Sequence, residues 1–183
     1  DRVASGLSIA DVASVASFFI SRVDSEVDPR LESLGTSEAL SLRGKAAIAQ
    51  AVLAYEAFQS TFSGSRWEAL ASRGAKVQRP LWASTSTKNP AYPDTLYVDQ
   101  LIGPDSVNTL PDATVDAFAD HGTVARTIDI NVDQAHAEWQ ALQMIGIDME
   151  EVAQKLEQEG VASFQKSFTE LIDALTEKAQ QFR

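Results

Sequence analysis

Cysteine is absent from the 183-residue sequence, which excludes disulfides, thiolate metal ligands and cysteine nucleophiles. A chain without cysteine fits a reducing compartment, so we expect a cytoplasmic protein. Histidine is scarce as well and occurs twice, as His121 and His136. Protein zinc sites draw on three or four His, Cys or carboxylate ligands, and the sequence therefore favours a function without a bound metal.

Positive charge is also in short supply. Lysine and arginine together number 15, against 26 acidic residues, and the formal net charge is -11. Such a surface repels nucleic-acid phosphates, so we expect no nucleic-acid partner. An anionic ligand would need a local cluster of positive charge and hydrogen-bond donors, because the field of the whole chain opposes it. No apolar run approaches the roughly 20 residues that span a bilayer, and we expect no membrane partner.

Several widely used active-site motifs are absent. The sequence has no G-x-G-x-x-G, no P-loop, no H-E-x-x-H and no G-x-S-x-G. A serine triad would need His121 or His136, and both fall in predicted helices, away from the ends of the predicted strands. The functional residues must therefore be sought outside these motifs, and no cofactor is expected.

What the sequence does contain is an alternation of strand-like and helical segments. Strands are predicted at 12–21, 77–84 and 95–103. Two of these runs are apolar without regular alternation, as expected for strands covered on both faces, which favours a parallel α/β arrangement. Three strands are too few for a closed parallel domain, and an eight-stranded (β/α) barrel takes about 250 residues. We therefore interpret the chain, which opens without methionine, as a piece of a longer barrel protein.

Helices are predicted between and after the strands. Their ranges are 35–62, 65–75, 110–122, 131–146, 148–160 and a final segment from 161 onward. Thr36 or Ser37 can cap the first, and Asp148 with Glu151 has capping-box spacing. His121 ends a helix, where positive charge suits the dipole, so we assign it a structural rather than a catalytic role. The final segment carries one apolar face, for packing on its own domain or, alternatively, on a partner helix.

The first candidate site lies near the end of the first predicted strand. Ser17 falls within the strand, and Arg22 follows five residues later, at or beyond its end. In α/β proteins reactive groups gather at the carboxyl ends of strands, and the planar arginine fork suits a phosphate or carboxylate. Alternatively, Ser17 is a satisfied core hydroxyl and Arg22 pairs with Asp24 or Glu26. The residues alone leave both interpretations open.

The second candidate site is the loop after the second predicted strand. Its polar side chains are Ser84, Thr85, Ser86, Thr87 and Lys88. Hydroxyls, loop N–H groups and a positive charge together suit a sugar or a phosphate. Alternatively, the loop is a turn whose Ser and Thr side chains bond their own backbone, an interpretation that two X-Pro pairs further along strengthen. Its place after a buried strand, at the same edge as the first site, favours ligand binding.

Both candidate sites lie in stretches that resemble transaldolase, most closely the bacterial group containing the actinobacterial enzymes. The stretches are SVASFFISRVD, GKAAIAQAVLAY, QRPLWASTSTKNPAYPDTLYVDQLIGPDSVNTLPDATVDAFADHG and GIDMEEVAQKLEQEGVASFQKSF. The resemblance implies a TIM (β/α)8 barrel, of which residues 1–183 form the C-terminal part of a single domain, with strands six to eight and the C-terminal helices. It also implies a transferase of carbohydrate metabolism. This enzyme of the pentose phosphate pathway moves a dihydroxyacetone unit between sugar phosphates through a lysine Schiff base, without a cofactor.

The resemblance assigns substrate contacts, but no catalytic residue, to this chain. Ser17 matches a contact to a substrate hydroxyl, Arg22 a contact to phosphate, and Ser84 the serine that ends the seventh strand. Related sequences place an arginine soon after that serine. This sequence has Thr-Ser-Thr-Lys there instead, so Lys88 is the expected substitute, with Ser86 beside it.

The reacting lysine is expected outside this chain. In the family it lies on the fourth strand, with acidic residues on earlier strands, so the N-terminal half of the barrel is the expected partner and the chain alone is expected to be inactive. Lys88 sits in a polar loop, which suits a charged anion contact better than an imine. Two alternatives stay open: a non-catalytic sugar-phosphate-binding module, and part of a transaldolase fused to a sugar-phosphate isomerase.

Overall fold

The computed structural model describes residues 1–182, and the chain divides into two compact units, Asp1–Ile147 and a second that begins at Asp148. The elements, in chain order, are β1 (Ser14–Phe19), α1 (Ser21–Leu34), α2 (Ser37–Ser41), α3 (Ala46–Thr61), α4 (Gly64–Ala71), β2 (Gln78–Ala83), α5 (Leu96–Asp99), β3 (Val107–Asn108), α6 (Asp112–His121), α7 (Val132–Met144) and α8 (Met149–Gln180). No described helix is long and apolar enough to cross a membrane.

The sheet is parallel and follows chain order, β1-β2-β3. Ser14 of β1 lies opposite Gln78 of β2, and the register continues to Phe19 opposite Ala83. Because helices connect β1 to β2, the chain returns to the same edge of the sheet before each strand begins. The predicted parallel α/β arrangement is confirmed, and all three strands have their carboxyl ends at one edge.

Helices cover one face of the sheet. Trp82 of β2 is fully buried there and packs against Phe18 of β1, with ring centroids 5.7 Å apart. On α1, Val27 and Leu31 are one turn apart and fully buried, facing α3. Alanines such as Ala47 have small side chains, so α1 can pack close to the backbone of α3. Helix packing thus fixes α1 firmly behind the ends of β1 and β2.

The opposite face of β1 is open in the described part of the chain. Val15 and Phe19 are 41% and 43% exposed, whereas a strand covered on both faces was expected. Since β1 is also the edge strand, both its outer edge and one face lack a covering element within residues 1–182. A long apolar edge of this kind is an aggregation risk unless another segment pairs with it.

The prediction of a third strand at 95–103 is wrong. Residues 95–103 contain the helical turn α5, and the third strand is a two-residue segment, Val107–Asn108. Tyr97, Val98 and Leu101 are buried at helical spacing, but a short apolar run rich in β-branched and aromatic residues does not distinguish a strand from a helical turn. Helix α1 is absent from the sequence-based prediction, because Pro29 and several Ser and Asp residues lower the helix propensity of its sequence.

Helix boundaries with strong capping signals match the structure. Thr36 accepts a hydrogen bond from the N–H of Ala39 at the start of α2, as predicted. The single helix predicted over 35–62 is wrong, because Gly44, with φ of 71°, separates it into α2 and α3. Asp148 accepts from the N–H groups of Glu150 and Glu151, which confirms the predicted cap of α8. The two helices predicted after residue 148 are one continuous helix of 32 residues. Gly160 lies in its interior, where a single glycine costs about 1 kcal/mol and does not end the helix.

Candidate functional site

The carboxyl ends of β1 and β2 are joined by backbone hydrogen bonds. The N–H of Ile20 donates to the carbonyl of Ala83 at 2.9 Å, and the N–H of Ser21 donates to that of Ser84 at 3.0 Å. Ser84 then takes φ of 56°, in the left-handed region that non-glycine residues seldom occupy. Such backbone geometry is concentrated at functional sites. The loop that begins at Ser84 therefore leaves the sheet beside the first turn of α1.

A pair of serine hydroxyls spans this junction. The Oγ atoms of Ser21 and Ser84 are 3.0 Å apart, and Ser21 is 1% exposed. In such a pair one hydroxyl donates to the other, so one proton stays available for a second acceptor. Ser21 was missed in the sequence analysis, although a hydroxyl at the end of an apolar run at a strand terminus was the available signal. Ser84 lies at the strand end, as predicted.

Ser17 lies in the middle of β1 rather than at its end. It stands opposite Leu81 in the register and is exposed, so it is not a satisfied core hydroxyl. Alternation along the strand places Ser17 and Phe19 on one face and Phe18 on the other, with Trp82. Ser17 therefore faces the open side of the sheet, together with Phe19.

Arg22 is in the first turn of α1, not in an extension of the strand. Its guanidinium carbon lies 4.3 Å from the ring centroid of Phe19. The alternative pairings do not form, because Asp24 accepts from Tyr97 and Glu26 pairs with Arg30. Within residues 1–182 the Arg22 side chain has no carboxylate partner. In a chain with a large acidic excess, an unpaired guanidinium at a strand end is suited to an anionic ligand.

The polar side chains that follow Ser84 in the loop form two groups. Thr85 is fully buried and donates to Asn108 at 2.8 Å, and Thr87 donates to the carbonyl of Pro93 at 2.8 Å. Thr85 thus ties the loop to the region of β3, and Thr87 bonds the backbone of its own loop, as the turn interpretation predicted for such a residue. Ser86 and Lys88 lie on the outer side, where Nζ donates to Oγ at 2.7 Å. This half of the loop keeps hydroxyl and ammonium donors available to a ligand.

The segment after Lys88 is a tight turn. The side chain of Asn89 accepts from the N–H of Ala91 at 3.0 Å, and its carbonyl accepts from the N–H of Tyr92. His121 contacts the far end of the loop, where Nε2 lies 2.8 Å from Asp94, and this bond raises the pKa of the imidazole. The structural role predicted for His121 agrees with this geometry.

Two buried carboxylates lie on α1 behind the loop, and the sequence analysis assigned a role in the site to neither. Asp24 and Asp28 lie one turn apart on α1 and are 2% and 7% exposed. Burial raises the pKa of Asp24 to about 6, despite the opposing hydrogen bonds from Tyr97 and the N–H of Ala47. Burial and the neighbouring carboxylate likewise raise the pKa of Tyr97. Neither contact was predicted from the sequence, because the partners of Asp24 and Asp28 are distant along the chain.

A cleft of about 260 Å³ lies between α1 and the loop. Its lining residues are Asp24, Ser25, Asp28, Pro29, Glu32, Lys88, Asn89, Tyr92 and Tyr97. Three of these are carboxylates, so the cleft itself repels phosphate. Arg22 and Ser84 lie outside this lining, at the ends of the strands, whereas Lys88 belongs to the cleft. No group of three or more residues among 1–182 has the ligands for a metal ion.

Comparison with known proteins gives one consistent result. The family model for transaldolase/fructose-6-phosphate aldolase matches residues 3–175. The transaldolase of Parafrankia sp. (strain EAN1pec) is 57% identical over 177 residues, covering 96% of this chain and 48% of that protein. Transaldolase 1 of Streptomyces coelicolor is 54% identical, and the match covers 94% of this chain and 46% of that protein. The transaldolase of Thermobifida fusca is 51% identical, and the match covers 94% of this chain and 47% of that protein. The chain spans about half the length of the curated relatives it matches.

Proposed function

This chain belongs to the transaldolase/fructose-6-phosphate aldolase family, and we propose that it works as part of a transaldolase of the pentose phosphate pathway. The reaction transfers a dihydroxyacetone unit from sedoheptulose 7-phosphate to glyceraldehyde 3-phosphate and yields erythrose 4-phosphate and fructose 6-phosphate. The observation that carries the proposal is that two cations, Arg22 after β1 and Lys88 in the loop after the adjacent parallel strand β2, have no carboxylate partner within residues 1–182. Two serine hydroxyls, on Ser84 and Ser86, stand at the same edge.

The proposal includes a (β/α)8 barrel in which β1, β2 and β3 are strands six, seven and eight. Parallel strands in chain order with helical connections are what a barrel segment requires. The open edge and face of β1 support pairing with a preceding strand from an N-terminal half of the same barrel. The same open edge argues against a complete, free-standing binding module. A cytoplasmic location belongs to this proposal and is supported by the cysteine-free composition.

Each site residue has a distinct role in the proposal. Arg22 offers a planar fork for two phosphate oxygens, while Lys88 acts as a point charge on the same group. Ser86 is held by Lys88 and presents its hydroxyl beside that charge. Ser84 donates the free proton of the serine pair to a substrate oxygen. Ser17, on the open face of the sheet, contacts a hydroxyl of the sugar inside the barrel.

The nucleophilic lysine is not one of these residues. A Schiff-base lysine must be neutral to attack a carbonyl, which burial or a neighbouring positive charge achieves. Lys88 is exposed and Lys45 pairs with Glu138 at 3.2 Å, so neither lies in the buried environment that such a lysine needs. We place the reacting lysine in the N-terminal half, and residues 1–183 contribute substrate binding.

Borohydride trapping in the intact protein tests this assignment. With fructose 6-phosphate present, reduction is expected to fix a dihydroxyacetone unit on one lysine, which peptide mapping should locate outside residues 1–183. The Lys88→Met variant should be labelled to the same final extent, with a higher fructose 6-phosphate concentration needed for half-maximal labelling. A label on Lys88 itself, or no label in the wild-type protein, would contradict the proposal.

A further inference from the structure

The carboxylate of Asp28 connects three segments of the chain. One oxygen accepts the hydroxyl of Tyr92 at 2.6 Å, and the other accepts the N–H of Gly44 at 2.9 Å. Asp28 itself lies on α1, Gly44 lies two residues before α3, and Tyr92 belongs to the loop after β2. Short O–H···O⁻ bonds of this kind are about twice as strong as neutral ones. Asp28 therefore fixes the loop to the rigid helical layer.

The ring of Tyr92 is held as firmly as its hydroxyl. A Cβ atom added to Gly44 would lie 2.8 Å from Cζ of Tyr92, so the ring packs directly on the glycine backbone. Gly44 also has φ of 71°, which other residues adopt at a cost. The ring of Tyr92 thus packs on Gly44, and its hydroxyl is hydrogen-bonded to Asp28.

Tyr92 follows Lys88 by four residues, and the turn between them is internally bonded. The carbonyl of Asn89 accepts from the N–H of Tyr92, and its side chain accepts from Ala91. A displacement of Tyr92 is therefore transmitted through a short, stiff turn to Lys88. Both residues also line the same cleft as Asp28. The backbone of Lys88 is thus joined through this turn to the Asp28–Tyr92 bond.

We propose that Asp28 and Tyr92 are positioning residues that hold Lys88 and Ser86 in place for the anionic group of the substrate. The inference rests on the proposed function, because it acts through the phosphate-binding role of Lys88. Its chemistry is specific: loss of the Tyr92 hydroxyl weakens recognition of a phosphorylated sugar and leaves recognition of an unphosphorylated one intact. A residue with a purely structural role would affect both substrates alike.

The Asp24–Tyr97 pair provides a matched control. Tyr97 donates to Asp24 at the same distance, 2.6 Å, and Asp24 also accepts a backbone N–H of α3, from Ala47. Tyr97, however, lies on α5, beyond the loop. Tyr97→Phe therefore removes an equivalent hydroxyl and an equivalent bond without releasing Lys88.

The experiment measures KM and kcat of the intact enzyme with fructose 6-phosphate and with dihydroxyacetone as donors, at saturating acceptor. Tyr92→Phe should raise the KM for fructose 6-phosphate about 3- to 10-fold, from the loss of one hydrogen bond, and leave that for dihydroxyacetone within error. Tyr97→Phe should leave the ratio of the two KM values unchanged. In a Lys88→Met background, Tyr92→Phe should add no further effect, because the two changes act on one contact.

The outcomes separate the two proposals. If Lys88→Met raises the KM for fructose 6-phosphate but Tyr92→Phe does not, the positioning role is wrong and the proposed function stands. An equal response of both donors to Tyr92→Phe, or an equal response to Tyr97→Phe, also overturns the positioning role. If Lys88→Met leaves both KM values unchanged, or the wild-type protein lacks transaldolase activity, the proposed function of the site fails and the inference falls with it.

Discussion

Replacement of Arg22 by alanine in the intact protein is expected to raise the KM for fructose 6-phosphate about 10- to 100-fold and to leave the KM for dihydroxyacetone nearly unchanged. The reason is the loss of a charge-assisted, two-pronged contact to phosphate, worth about 1.5–3 kcal/mol. No carboxylate within residues 1–182 competes for this guanidinium, and Phe19 supports it from one side. Removal of Arg22 therefore breaks no internal ion pair, and its cost appears in substrate binding.

Two further variants sharpen this measurement. Arg22→Lys keeps the charge but loses the fork, so its KM should fall between those of the wild type and the alanine variant. Arg30→Ala removes the same group from the same helix, but Arg30 is paired with Glu26 at 2.6 Å, and its loss should leave both KM values unchanged. A parallel rise for dihydroxyacetone, or an Arg30→Ala variant that matches Arg22→Ala, would rule out phosphate binding by Arg22.

Local signals in the sequence predicted the elements that frame this site. Residues 77–84 carry an apolar run that ends in a cluster of hydroxyls, and β2 occupies Gln78–Ala83 within it. Pro111 and Gly122 mark a helix start and stop, and α6 runs between them. These signals depend on adjacent residues, so sequence alone is sufficient to predict them.

The elements and contacts that depend on distant residues could not be predicted in this way. The composition of residues 95–103 is typical of a strand, but Tyr97 lies in a helical turn. Its hydroxyl donates to Asp24, which is 73 positions earlier in the sequence. Asp28 is buried because Gly44 and Tyr92 offer it donors, and nothing near Asp28 in the sequence indicates that. A carboxylate on a helix reads as solvent-exposed until its partners are known.

The same limit applies to the hydroxyl loop. Composition suggested that Ser84, Thr85, Ser86 and Thr87 act as one group, either as a turn or as an anion-binding loop. In the structure Thr85 bonds Asn108 and Thr87 bonds Pro93, whereas Ser84 pairs with Ser21 and Ser86 accepts from Lys88. The loop departs from extended backbone at Ser84, whose φ is 56°, so the alternation of a strand does not predict which hydroxyls turn inward.

The buried carboxylate of Asp24 leads to a second large prediction, which concerns stability. Its pKa is raised from the ordinary 3.8 to about 6, chiefly by burial. Between these two values the folded protein binds a proton that the unfolded chain has released. The contribution of this proton to the free energy of unfolding is fully present below pH 3.8 and is lost as pH rises through about 6. The total loss over this range is about 3 kcal/mol. Asp24 therefore favours folding at mildly acid pH.

Comparison of the wild type with Asp24→Asn isolates this contribution, because asparagine has a similar shape and does not titrate. Urea unfolding of the intact protein at pH 5 and pH 8 should show the wild type losing about 1.4 kcal/mol relative to the variant across that interval. Asp116→Asn, an exposed change on α6, should track the wild type at both pH values. If the wild type and Asp24→Asn also run parallel, or the wild type gains stability with rising pH relative to the variant, the carboxylate is ionised throughout. Its hydrogen bonds from Tyr97 and Ala47 would then outweigh the cost of burial.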